Sequence, residues 1–252
     1  MSSKALWAAF KTETVLYLRG FFGPFFSFAF PIMMILLFGS IYGNEPSQFF
    51  DGQGSMDVMI PACLGIVIAV GGLMTLPLQL SEYQANGVYK RFDTTPVGKG
   101  SIVAVQMLLY IAAAVLGAVL LIAAGKLMYD IRVTGSVGVI IALFILSLLS
   151  IFSIGFLITA VFKSSKAVNL VSYLLFYLML FTSGATIPSE IFPDGVRRFA
   201  EIMPLTHVVN LFKHSFAGDW ETGDLRSVVV LAVITCVCIT IGSICYRRRR
   251  WA

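Results

Sequence analysis

The chain carries two histidines, His207 and His214, and four cysteines, Cys63, Cys236, Cys238 and Cys245. The histidines are seven residues apart, a spacing that lets them share one face of a helix. As an external metal pair they are weak, and hydrogen bonding at an interface is the role they fit better. Cys236 and Cys238 are two apart and point to different sides of a helix rather than at one metal. All four cysteines fall in or beside apolar runs, so they read as small hydrophobes and not as a disulfide framework. The sequence holds no glycine-rich phosphate loop ending in Gly-Lys-Ser/Thr, no HExxH, no G-x-S-x-G and no paired-aspartate transferase motif. No Asp, Glu, Lys, Arg or His falls in the middle of a long apolar run, where ion-driven transporters place such groups. The expectation is a chain that is not an enzyme and holds no cofactor. If it moves a cargo, the energy comes from another subunit.

Two stretches outside the apolar runs carry the remaining chemistry. The first, residues 81–100, reads SEYQANGVYKRFDTTPVGKG. Glu82, Lys90, Arg91 and Asp93 keep it in water, while Val88, Tyr89 and Phe92 offer an apolar face. A short helix ending near Thr94, Thr95 and Pro96 is expected, because the residue before a proline resists helical geometry. Such a helix can lie in a groove of a cytosolic partner with Phe92 as its anchor. A solvated loop whose charges only fix topology is an equal reading of the same residues. The second stretch, residues 182–220, holds Phe192, Phe199, Ile202, Met203, Leu205, Val208, Val209, Leu211, Phe212 and Phe216. Those are too many large apolar side chains for a free linker. Pro188, Pro193 and Pro204 divide it into pieces too short to cross a bilayer. Irregular backbone at membrane depth persists only when buried in protein or lining a water-filled cavity. The stretch is therefore expected to be a re-entrant pair of short helices.

The elements that must position these stretches follow from composition. The 252 residues are 58% hydrophobic and 12% charged, with mean hydropathy +0.89. A soluble domain carries about 25% charged residues, so the chain is expected to be an all-α integral membrane protein. Six spans are expected, at 21–42, 57–80, 101–124, 134–162, 167–187 and 227–246, the fourth being the longest. Pro24 and Pro31 break the first, and Gly71-Gly72 at the centre of the second permits a bend or a close helix contact. Residues 1–20 form an amphipathic interfacial helix, with Trp7 and Tyr17 at headgroup level. Lys11, Glu13 and Arg19 interrupt it before any apolar core begins, so no cleaved signal peptide is expected. The transmembrane domain covers 21–246, and 247–252 is a basic tail.

Six spans put both termini on one side. That side holds twelve of the 18 basic residues: Lys4, Lys11, Arg19, Lys90, Arg91, Lys99, Lys163, Lys166 and Arg247 to Arg250. It holds only three of the 13 acids, Glu13, Glu82 and Asp93. The positive-inside rule places this face, and both termini, in the cytoplasm. The basic balance reflects that orientation and calls for no nucleic-acid partner.

Residues 81–100 resemble the cytoplasmic loop of the type-2 membrane permease subunits of ATP-binding-cassette (ABC) exporters, on Glu82, Gly87, Lys90-Arg91 and Thr95-Pro96-Val97. The acidic run is thinner than that family's, with Tyr83-Gln84-Ala85-Asn86 where charge is common. The second stretch is similar to the same family at Ser183-Gly184, Pro188, Phe192-Pro193 and Met203-Pro204-Leu205-Thr206-His207. The resemblance implies a permease with two cytosolic ATPase subunits beneath it and a second permease, identical or homologous, beside it in the cytoplasmic membrane. ATP and Mg would then be held by the partner chains. Glu82, Gly87, Lys90, Arg91 and Phe92 would couple to the ATPase, and Pro188, Phe192, Pro193, Phe199 and Pro204 would form an outer gate. Phe25, Phe28, Tyr173, Tyr177 and Phe181 are candidates for the cargo path, for which lipid contact or packing is the competing role. The uncharged spans suit a hydrophobic or amphipathic cargo such as a drug, an antimicrobial peptide or a lipid. A lipid-linked polymer exporter, a partner-independent channel or flippase, and a membrane anchor stay open as alternatives.

Overall fold

The computed structural model describes residues 3–45, 54–93, 99–186 and 192–248. Pro188, and the end expected for the short helix at Thr94 to Pro96, lie outside the described residues. The chain forms twelve α-helices among them: α1 (Ser3–Arg19), α2 (Phe22–Pro24), α3 (Phe30–Tyr42), α4 (Ser55–Ala69), α5 (Leu76–Ala85), α6 (Val88–Asp93), α7 (Lys99–Tyr129), α8 (Val137–Val161), α9 (Ser165–Thr182), α10 (Asp194–Ala200), α11 (Pro204–Ala217) and α12 (Thr222–Arg248). Two π-helical turns, Phe25–Ala29 and Val70–Thr75, join α2 to α3 and α4 to α5. Six stretches are long and apolar enough to cross a membrane: Phe25–Tyr42, Ser55–Ala85, Gly100–Tyr129, Val137–Val161, Ser165–Thr182 and Thr222–Tyr246.

The second span is the central post. Of its most apolar window 78% is buried in the protein, against 22% for the first and the sixth spans. It is also the longest, at 31 residues against 25 for the fourth, which corrects the expected order. The difference arises because α5 continues through Ser81–Glu82–Tyr83–Gln84–Ala85, residues expected to open a loop. Packing decides it: Ser81 is buried and its Oγ lies 3.2 Å from Ser165 Oγ at the start of α9. The fifth span ends at Thr182, earlier than expected, and the sixth begins at Thr222.

The expected break between Pro24 and Pro31 takes the form of a widened turn rather than a stop. The Phe30 N–H reaches back to the Phe25 carbonyl, the five-residue reach of a π turn, so helical hydrogen bonding continues past the prolines. At Gly71-Gly72 both expected consequences occur together. The Leu76 N–H bonds the Gly71 carbonyl across a second π turn. The fourth span passes so close that a Cβ on Gly155 would stand 1.9 Å from the Gly72 carbonyl oxygen. Small residues admit such crossings, and in lipid packing contact is what drives helices together.

The two ends of the bundle are tied differently. At one end Asn44 bridges the first three spans: its Nδ2 donates to the Tyr129 carbonyl at 2.9 Å, and its Oδ1 accepts the Met56 N–H at 3.0 Å. The Arg132 N–H donates to Asp57 Oδ1 at 2.9 Å beside it. The Thr134 N–H bonds the Phe216 carbonyl at 3.0 Å, fastening the end of α11 to the loop between the third and fourth spans. The opposite end gathers α1, α6, the start of α9 and the end of α12.

Candidate functional site

The turn and short helix after the second span are set by one glycine. Gly87 has φ +65°, a left-handed conformation that glycine adopts without steric cost, and nothing lies within 4 Å of where a Cβ would be. The Asn86 N–H to Glu82 carbonyl bond closes α5, and α6 starts at Val88. Glu82 and Arg91 are exposed on this unit, while Tyr89 is buried. Lys90 and Phe92 belong to α6 by their backbone, and their side chains lie outside what the structure describes. Four of the five expected coupling residues, Gly87, Lys90, Arg91 and Phe92, thus fall on one turn-and-helix unit, and Glu82 lies in the last turn of α5 just before it.

Tyr89 is the inner fixing point of α6. Its hydroxyl donates to Gln106 Oε1 on α7 at 3.1 Å. Gln106 Nε2 in turn lies 3.4 Å from Glu13 Oε2 on α1. The Tyr83 hydroxyl, at the end of α5, donates to both oxygens of Glu13 at 3.0 and 3.1 Å. A turn further along α1, the Tyr17 hydroxyl donates to Ser27 Oγ at 2.8 Å, and its ring meets Tyr110 edge-on. Burial pushes the Tyr89 hydroxyl far above the usual phenol range, so it stays protonated as a donor. On its other side Tyr89 lines a cavity of about 10 Å³ with Leu80, Gln84, Val103, Phe156, Thr159 and Tyr246. That is room for about one water.

None of Glu13, Tyr83 or Gln106 stood out in the sequence as a site residue. A signal was present: Glu13 and Tyr17 on α1, and Gln106 and Tyr110 on α7, are both pairs four residues apart. These two pairs face each other across the α1–α7 contact.

At the other end, α10 and α11 form the expected pair of short helices, hinged at Met203-Pro204. Pro204 occupies the first turn of α11, where a missing N–H costs nothing. Gly218, in the left-handed region, ends α11, and the Asp219 N–H bonds the His214 carbonyl in a Schellman closure. Leu205, Val208, Val209, Leu211 and Phe212 are fully buried. Leu205, Val208 and Val209 pack on Gly65 of α4. The two histidines pin α11 to α12. His207 Nε2 donates to the Glu201 carbonyl at 3.0 Å while Nδ1 faces Ser227 Oγ at 2.9 Å, and burial lowers its pKa, favouring this neutral tautomer. His214 Nδ1 lies 2.8 Å from Asp224 Oδ1, whose other oxygen accepts the Glu221 N–H and caps α12. The interfacial hydrogen-bonding role expected for both is the one they hold.

Of the expected gate residues, Phe192 is half-buried, Pro193 precedes α10 and Phe199 is 39% exposed. The cargo-path candidates divide between the first and the fifth spans. Phe25 stacks on Phe21 at 5.2 Å within its own stretch of chain, whereas Phe28 meets Tyr17 edge-on and belongs to the packing of α1 on the first span. Tyr173 is half-buried, whereas Tyr177 and Phe181 continue an outward stripe with Leu170 and Leu174.

A family model described as ABC-2 type transporter matches residues 4–217, from the start of α1 to the last residue of α11. Comparison with curated proteins gives no match.

Proposed function

The chain belongs to the ABC-2 type transporter family, and from that premise we propose that it is the permease of an ATP-driven exporter. Family membership makes it a membrane subunit of an ABC transporter, and its six apolar helices make it a multi-pass membrane protein. The proposed cargo is hydrophobic or amphipathic and leaves across the cytoplasmic membrane. Two cytosolic ATPase subunits, holding ATP and Mg, would drive two permeases that are copies or relatives. The observation that carries this reading is the seating of α6. A short helix with exposed Arg91 is held from within by Tyr89, at the end where α1, the start of α9 and the end of α12 gather. That same end carries the basic excess, which supports cytoplasmic termini.

The interfacial role of α1 is supported by its outward side, where Trp7, Leu16 and Leu18 are exposed beside Lys11 and Arg19. Re-entry of the short-helix pair is supported by the reach of α11. Its start packs on Gly65, ten residues into α4, about 15 Å along a helix at 1.5 Å per residue. Its end is fastened to the loop at Thr134. For the fifth span, Tyr177 is 50% exposed, and lipid offers a phenol hydroxyl no partner. A second permease or passing cargo against that stripe would supply one.

The deciding experiment is purification of the complex from its host membrane. A co-purifying ABC ATPase, and efflux that stops when its ATP hydrolysis is blocked, are the expected results. Efflux by the chain alone would overturn the reading in favour of a passive channel or flippase. Truncation at the proposed gate is expected to act separately. Phe192→Ala or Phe199→Ala impairs export or makes it leaky while ATPase assembly stays intact. Unchanged transport in both variants would remove α10 from the mechanism.

A further inference from the structure

Glu13 lies on the inward face of α1, only 6% exposed, and no cation pairs with its carboxylate among the described residues. A buried carboxylate without a cation is costly, and on stability grounds alone an apolar residue would serve α1 better. Its hydrogen-bond partners come from two other elements, Tyr83 at the end of α5 and Gln106 on α7, and Gln106 passes the connection to Tyr89 on α6. We propose that Glu13 is the positioning residue of the coupling helix. Through Tyr83 and the Gln106–Tyr89 bridge it makes α1, the end of the second span, α6 and the third span one body, so that a push on α6 moves all four. The word coupling rests on the function proposed above; the seat itself does not.

Desolvation raises the Glu13 carboxyl pKa above its ordinary 4.5, with the Tyr83 and Gln106 hydrogen bonds pulling the other way. The groups facing it are Tyr83 from α5, Tyr89 from α6, Gln106 and Tyr110 from α7, and Tyr17 on α1 itself. The charged groups Lys11, Glu82 and Arg91 on these elements are exposed. Because the folded value is the higher one, the folded chain binds this proton more tightly than the unfolded chain. The resulting stabilisation is complete below the ordinary carboxyl range and is lost as pH rises through the folded value. Ionisation of Glu13 thus strengthens the Tyr83 and Gln106 hydrogen bonds while leaving a buried charge without a cation, which makes the seat of α6 sensitive to pH.

Hydrogen–deuterium exchange of the full chain in phosphatidylcholine/phosphatidylglycerol nanodiscs, with no ATPase present, tests this directly. At neutral pH, Glu13→Ala is expected to speed exchange in α6 and α1 by about tenfold, the scale of a buried hydrogen-bonded group left without its partner, with α11 unchanged. Glu13→Gln is expected to keep parental protection there and to abolish its pH dependence after correction for intrinsic exchange. Should Glu13→Ala lose protection along the whole chain, Tyr89→Phe decides. Loosening confined to α6 supports the proposal, and unchanged α6 exchange overturns it. It is equally overturned if Glu13→Gln behaves as Glu13→Ala, or if its pH profile matches the parent's. A failed search for the ATPase leaves these outcomes untouched.

Discussion

Reversing the charges at Lys90 and Arg91 to glutamate is expected to abolish recovery of the ATPase partner and, with it, transport. The permease itself stays folded. Tyr89 is the residue that fixes α6 from inside, through Gln106, and it is left untouched. Arg91 stands two positions further on, about 200° round a helix of 3.6 residues per turn, and is exposed. A charge at the rim of a docking surface chiefly steers association and carries its salt dependence, whereas juxtaposing like charges across an interface costs several kcal/mol. The double reversal is thus expected to weaken binding by about 100-fold, ~2.8 kcal/mol at 1.4 kcal/mol per decade. Alanine at both positions does less, and its effect shrinks with added salt. Thermal unfolding of the purified permease, matched to the parent, separates lost docking from lost fold. If the doubly reversed chain still brings down its ATPase, α6 is not the docking element. If transport persists while the ATPase no longer binds, the chain is not driven from that subunit.

The two features from which this argument grows were unequally readable in the sequence. Long apolar runs and proline punctuation were enough for six spans and two short helices before the last span, because hydropathy and backbone chemistry are local properties. The seat beneath α6 was not readable, since Glu13, Tyr83, Tyr89 and Gln106 come from four helices and only tertiary packing brings them together. Taken alone, Glu13 looked like one more charge on an interfacial helix. The length of α5 was misjudged on similar grounds: Ser81 to Ala85 are polar, but they remain helical because Ser81 and Tyr83 find partners across the bundle. Conversely, the close approach at Gly71-Gly72 was anticipated, while its counterpart Gly155 passed unnoticed among the small residues of the fourth span.

Gly155→Leu is expected to prevent accumulation of a monodisperse chain, and Gly155→Ala to lower its thermal unfolding temperature measurably. The contact involves backbone and cannot be relieved by a side-chain rotation. A Cβ at 155 would stand 1.9 Å from the Gly72 carbonyl oxygen and 3.0 Å from Pro77 Cγ, so the second and fourth spans must separate to admit it. Overpacking a tight interior costs about 1–3 kcal/mol even when neighbours can shift. Here the neighbour that must shift is the π turn of the most buried span, where displacement spreads to Ile151 and Phe152 against Gly72. Gly138 in the same helix is the control. A Cβ there meets only Ser136 Oγ at 3.9 Å, so Gly138→Ala is expected to be neutral or stabilising through helix propensity, by up to ~1 kcal/mol. The readout is size-exclusion profile and unfolding temperature in one detergent for all variants. Equal behaviour of Gly155→Leu and Gly138→Ala would mean that the second and fourth spans do not cross at Gly72. A selective loss at 155 would fix the crossing of the second and fourth spans at Gly72.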